Sequence, residues 1–124
     1  MQKYNHEQDI QRRSISPEDS LLKAMRLMDE IAVKVLFVFK GADFLGLLTI
    51  ERAIIKNIPI TASITEILDK NKVYASIHES QESIAKKMRR MRAECMPIIG
   101  NPGELIDVIF WKDLFDREAH PIRE

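Results

Sequence analysis

Ser20-Leu21-Leu22-Lys23-Ala24-Met25-Arg26-Leu27-Met28 and, 63 residues later, Ser83-Ile84-Ala85-Lys86-Lys87-Met88-Arg89-Arg90-Met91 carry one pattern twice, with Ser, Lys and both Met coinciding and Leu21 facing Ile84. A second match follows at an offset of 61, where Asp43-Phe44-Leu45-Gly46-Leu47-Leu48-Thr49-Ile50 is answered by Glu104-Leu105-Ile106-Asp107-Val108-Ile109-Phe110-Trp111. Self-similarity at a fixed period decides the architecture before any single element does. The chain is two copies of about 60 residues behind a polar N-terminal arm.

Each copy repeats the same order of elements. In the first, Ser16 followed by Pro17, Glu18 and Asp19 predicts a capped helix from Pro17 to Glu30, with Pro at its first position and acids where the helix dipole favours them. Leu21, Met25 and Met28 form its buried stripe, with Leu22 and Leu27 beside it. The run Val35-Leu36-Phe37-Val38-Phe39 predicts a strand covered on both faces, Lys40 to Asp43 a turn, and Phe44 to Ile50 the returning strand. A short helix from Arg52 to Asn57 precedes Pro59, and Thr65 to Leu68 reads as one helical turn in a connector. In the second copy, Val73 to Ala75 is a short strand, and Ser80 caps a helix from Gln81 to Arg92 with Ile84, Met88 and Met91 as its stripe. Met96 to Ile99 is the next strand, Pro97 being admissible there only at an edge or first residue. Asn101 to Glu104 turns the chain, Leu105 to Trp111 returns, and Lys112 to Phe115 starts a last helix. Leu36, Phe37, Val38, Leu47, Ile98, Ile99, Val108 and Ile109 are the expected sheet core.

Composition narrows the function. The 19 Lys and Arg balance 19 Asp and Glu across 124 residues, so no net charge draws the chain to nucleic acid. No apolar run approaches the ~18 residues that span a bilayer, and the single Cys95 precludes an internal disulfide, so a cytoplasmic protein without membrane contact is expected. His6, His78 and His120 have no partners at zinc-ligand spacing, and no phosphate loop, nucleophile elbow or carboxylate pair argues for an enzyme.

The doubled order of helix, strand, hairpin strand and helix resembles a tandem pair of CBS (cystathionine-β-synthase) domains, the Bateman module, over about residues 12–117. Gly46-Leu47-Leu48-Thr49 fits the start of that family's segment of Gly, two apolar residues, Thr or Ser, two variable residues and Asp; Met96-Pro97-Ile98-Ile99 fits its earlier apolar segment. The first copy departs at Arg52, where the pattern has Asp; the second has Asp107 for Gly and Phe110 for Thr but keeps Asp113. The resemblance implies an α/β fold of two β-α-β-β-α repeats packed about a pseudo-twofold axis. It divides the chain into an arm (1–11), a first copy (12–62), a connector (63–72), a second copy (73–117) and a linker (118–124) to a missing domain.

The same resemblance implies a non-catalytic regulatory module that senses an adenine nucleotide for a fused or partner enzyme. Asp107 to Asp113 looks like the pairs fused to sugar-phosphate nucleotidyltransferases. AMP, ADP, ATP or S-adenosylmethionine are the implied ligands, and a homodimer through the two long helices is the implied assembly; a ligand-free dimerisation module is the alternative. Asp113 would accept from ribose hydroxyls, or would serve only as a first-turn acid. Thr49 would donate to phosphate or ribose, or merely cap a helix. Pro97, Ile98, Phe110 and His78 complete the implied ligand contacts. Lys86, Lys87, Arg89, Arg90 and Arg92 read as a solvated face, and Cys95 as packing.

Overall fold

A computed structural model describes residues 6–68, 74–101 and 103–114. The chain divides into two compact units, one of Glu7–Lys72 and one of Met1–His6 with Val73–Glu124. Expectations for Val73, Phe115, the linker and residues 1–5 of the arm fall outside the described residues.

The first unit runs α1 (Glu7–Arg12), β1 (Ser14–Ile15), α2 (Leu21–Ile31), β2 (Val35–Lys40), β3 (Asp43–Thr49), α3 (Ile50–Lys56) and a 3-10 turn (Ile64–Glu66). The second repeats the motif as β4 (Ala75–Ser76), α4 (Gln81–Met91), β5 (Cys95–Ile99) and β6 (Leu105–Phe110), with residues 111–114 helical after it. Each unit has a three-stranded sheet, β1-β2-β3 or β4-β5-β6, in which the short strand pairs parallel and the hairpin antiparallel. Both hairpins slip register at matching places, Val38/Phe39 and Ile98/Ile99. The α/β class and the duplicated order are as the sequence predicts.

The register of the duplication differs from the sequence match. Ser20 and Ser80 are the two N-caps, each accepting from the backbone N–H three residues on at 3.1 Å, so the helices are 60 residues apart rather than 63. Helix α2 therefore begins at Leu21 and not at Pro17. The Pro17 carbonyl instead accepts from the Thr65 N–H, the Ser63 hydroxyl and the Thr65 hydroxyl at 2.8–3.0 Å, which holds that segment in a turn. The N–H groups of Leu21 and Leu22 donate to the carbonyls of Ala62 and Ile60, satisfying two of the donors a helix start leaves open. The segment expected to be a connector thus completes the first core, and Ile64 and Ile67 are wholly buried in it. The arm is not structureless either: α1 begins in it at Glu7, where the polar sequence without an apolar period predicts no helix, while β1 is the leading strand that a β-α-β-β-α repeat implies for the first copy.

Leu21, Ala24 and Met28 are the buried line of α2, with Met25 partly buried; Ile84 and Met88 serve α4. Met91 is 44% exposed, contrary to its expected place in the stripe, because the 60-residue register pairs Met28 with Met88 and leaves Met91 on the final turn. Leu36 and Val38 join the first core and Met96, Ile98 and Ile109 the second, while Val35, Phe37, Cys95, Val108 and Phe110 are buried at the alternate positions. Leu47 and Ile99, expected in the core, are only half-buried. Pro97 lies in the middle of the central strand β5, not at an edge. With no N–H to give, it delays the β4 ladder, whose first pair is Ala75 with Ile98 where the first copy starts at Ser14 with Phe37.

Both long helices end in the same way. Ala32 and Arg92 take left-handed conformations (φ 57° and 54°), and the following N–H, of Val33 or Ala93, returns to Met28 or Met88 at 2.9 Å. Glycine reaches that conformation without the Cβ penalty, so Ala32→Gly should raise stability by about 0.5–1 kcal/mol in urea denaturation. An unchanged or lowered midpoint would count against the left-handed cap.

Candidate functional site

Of the second-copy residues that the sequence singles out, Phe110 and Asp113 meet at the end of β6, and Pro97 and Ile98 lie on the neighbouring strand β5. Asp113 is three residues beyond Phe110, in the first turn of the helical segment 111–114, and its Oδ2 accepts from the Phe110 N–H at 2.8 Å. This is one arm of a capping box, the side chain reaching back to the N–H that precedes the helix. The first-turn reading of Asp113 is therefore a real structural role, and it also fixes the orientation of the carboxylate. Phe110 is 4% exposed, Pro97 pairs with Val108, and Ile98 pairs with Asp107.

His78 stands apart, exposed in the turn between β4 and α4, with its N–H on the Ser76 hydroxyl at 3.1 Å. Thr49 belongs to the other unit, where it ends β3 opposite Val35, half-buried and directly before α3. Arg52, at the position matching Asp113, donates from Nε to the Ile67 carbonyl at 3.0 Å and so ties α3 to the 3-10 turn.

Two residues of this cluster escape sequence reasoning. Asp107 is 2% exposed, and its Oδ1 accepts from the N–H of Val108 at 2.9 Å and of His6 at 3.3 Å. His6 also places Nε2 at 2.9 Å from Asp113 Oδ2 and its ring edge-on to Phe110, centroids 4.8 Å apart. Nothing local in the sequence announces a contact across 107 positions. Among the described residues no cluster of three or more His, Cys, Asp or Glu side chains could hold a metal ion.

The basic face of α4 is partly tied down. Lys87 Nζ reaches Glu79 at 3.0 Å and the Tyr74 carbonyl at 3.1 Å, while Lys86 and Arg90 line a shallow groove with Ser80, Glu82 and Ser83. The Ser83 hydroxyl, then Lys87 and the Ser76 N–H, hold the Glu79 carboxyl below the usual carboxylate range, against the opposing effect of its burial. A depressed carboxylate contributes stability above its unfolded pKa, about 4.3, and loses it as pH falls toward the lower folded value. Glu79→Gln should therefore flatten the stability profile below about pH 4.5; a profile as steep as that of the unmodified chain would exclude Glu79 as a contributor.

No family model matches the chain. Over 108 residues, 87% of its length, it is 32% identical to inosine-5'-monophosphate dehydrogenase of Korarchaeum cryptofilum. The match occupies 22% of that protein, and the chain spans about a fifth of the length of the curated relatives it matches. Among solved structures, a CBS domain superposes with a TM-score of 0.71 at 23% identity, over 86% of each chain. The cytosolic domain of the Mg2+ channel MgtE in complex with ATP superposes with a TM-score of 0.68 at 17% identity, over 83% of this chain and 43% of that one. The fold is that of CBS-domain structures. No helix among the described residues is long and apolar enough to cross a membrane.

Proposed function

We propose that the chain is a non-catalytic regulatory module whose second copy binds an adenine nucleotide through Asp113 on behalf of a larger enzyme. The observation that carries this reading is the carboxylate of Asp113, oriented by the Phe110 N–H at the end of β6; a fold like this one occurs in the cytosolic domain of the Mg2+ channel MgtE, solved in complex with ATP. A carboxylate so placed accepts from both hydroxyls of a ribose, and Phe110, whose N–H it holds, is the apolar residue next to it, with Pro97 on the neighbouring strand. Thr49 is the corresponding candidate in the first copy, where Arg52 offers no acceptor.

The larger enzyme is one that handles nucleotides. The sequence favours a sugar-phosphate nucleotidyltransferase, while the 32% identity to an inosine-5'-monophosphate dehydrogenase supports that dehydrogenase class instead. Self-association belongs to the same proposal. Exposed Ile54 and Ile55 on α3 and Met91 on α4 are apolar surface available to it, and sedimentation at tens of micromolar should give twice the 14.4 kDa of one chain. A clean monomer would exclude the dimer.

Thermal shift with AMP, ADP, ATP and S-adenosylmethionine tests the ligand. A nucleotide at a hundred times its Kd adds about 2.7 kcal/mol, enough to raise the melting temperature by several degrees. If millimolar amounts of all four leave it unmoved, the ligand-free dimerisation reading replaces this one.

A further inference from the structure

His6 precedes every element of the first copy, yet it belongs to the same compact unit as the second. Its contacts there include N–H to Asp107 at 3.3 Å, Nε2 to Asp113 at 2.9 Å, and ring edge to Phe110 at 4.8 Å between centroids. Its side chain is 16% exposed and that of Asp113 13%, so each shields the other from water.

Asp107 accounts for the docking. The matching residue of the first copy is Gly46, which passes this point at φ 145° with no side chain. Asp107 brings a carboxylate into the interior, where it must be supplied with donors. Val108 and His6 each give its Oδ1 an N–H. The first copy has Gly46 and Arg52 at the two anchoring positions, so it cannot hold a histidine in this way.

We propose that His6 is a tethered competitor for the ligand at Asp113, a reading that rests on the nucleotide proposal above. A ribose diol needs both oxygens of a carboxylate, and Oδ2 already accepts from the Phe110 N–H and meets the imidazole. The ring also lies against Phe110, one of the expected ligand contacts. Nucleotide binding at this site therefore requires His6 to leave, and the apparent affinity is reduced by the fraction of molecules in which it is docked.

The test is calorimetric titration of the full chain with AMP and ATP, for the unmodified protein, His6→Ala and His6→Gln. His6→Ala should bind roughly three- to thirtyfold more tightly, as one charge-assisted contact no longer competes. His6→Gln, which keeps a donor near the Nε2 position, should stay close to the unmodified chain. In parallel, amide relaxation should show His6 as rigid as β6 without ligand and mobile at saturation. Equal or weaker binding by His6→Ala overturns the competition while leaving nucleotide binding intact, as does a His6 amide that is mobile without ligand. Absence of binding in all three proteins overturns the nucleotide reading itself, and the competition with it.

Discussion

Replacing Phe37 with alanine should destabilise the chain by about 3–5 kcal/mol, a large share of the 5–15 kcal/mol available to a domain of this size. Phe37 is wholly inaccessible, lies in the middle of the first sheet, pairs with Ser14 on one side and Leu47 on the other, and donates its N–H to the Arg13 carbonyl at 2.8 Å. Truncation removes the apolar area and leaves a cavity that the flanking buried positions, Val35 among them, cannot fill without moving. Phe39, two residues along, is only half-buried and pairs with Phe44 at 5.4 Å, so its truncation should cost less. Urea denaturation of the two variants measures both. A loss below about 1 kcal/mol at Phe37 would contradict its burial.

Asp113→Ala should weaken adenine-nucleotide binding by about ten- to a hundredfold, since a lost charge-assisted hydrogen bond is worth roughly 1.5–3 kcal/mol. The substitution also removes the partner of His6 and the acceptor of the Phe110 N–H, so part of the effect reaches the ligand through the loosened end of β6. Asp113→Asn separates the two contributions, because it keeps an acceptor for the N–H while losing the charge. Thr49→Ala should do less, a neutral hydroxyl bond contributing about 1 kcal/mol. Calorimetry on all three, with folding followed by circular dichroism, decides the order. Abolished binding in Thr49→Ala together with unchanged binding in Asp113→Ala would move the site to the first copy.

The sheets and their duplication are legible in the sequence because Val35 to Phe39 is an apolar run and Leu105 to Phe110 is one broken only by Asp107. The helix register is not. Ser20, Met25 and Met28 match Ser83, Met88 and Met91 by letter, but burial pairs Met28 with Met88 and capping pairs Ser20 with Ser80. Identity of side chains misleads where the position relative to a cap is what the fold conserves between the copies. Pro17 misleads in a similar way: as a first helical residue it is plausible on local grounds, and only the connector bonds to its carbonyl show otherwise. At the candidate site, Asp113 and Phe110 follow from motif spacing. His6 and Asp107 do not, since their contact joins the two ends of the chain, and a buried Asp in a strand reads locally as a defect until its donors are seen.

The most direct test of the account is a backbone-amide NMR titration of the full chain with AMP and ATP. Saturable shifts should gather on Phe110, Trp111, Lys112 and Asp113, together with His6, while Thr49 and α3 stay still. Spectra unmoved at millimolar nucleotide, or shifts confined to the residues around Thr49, would contradict a second-copy site built on Asp113.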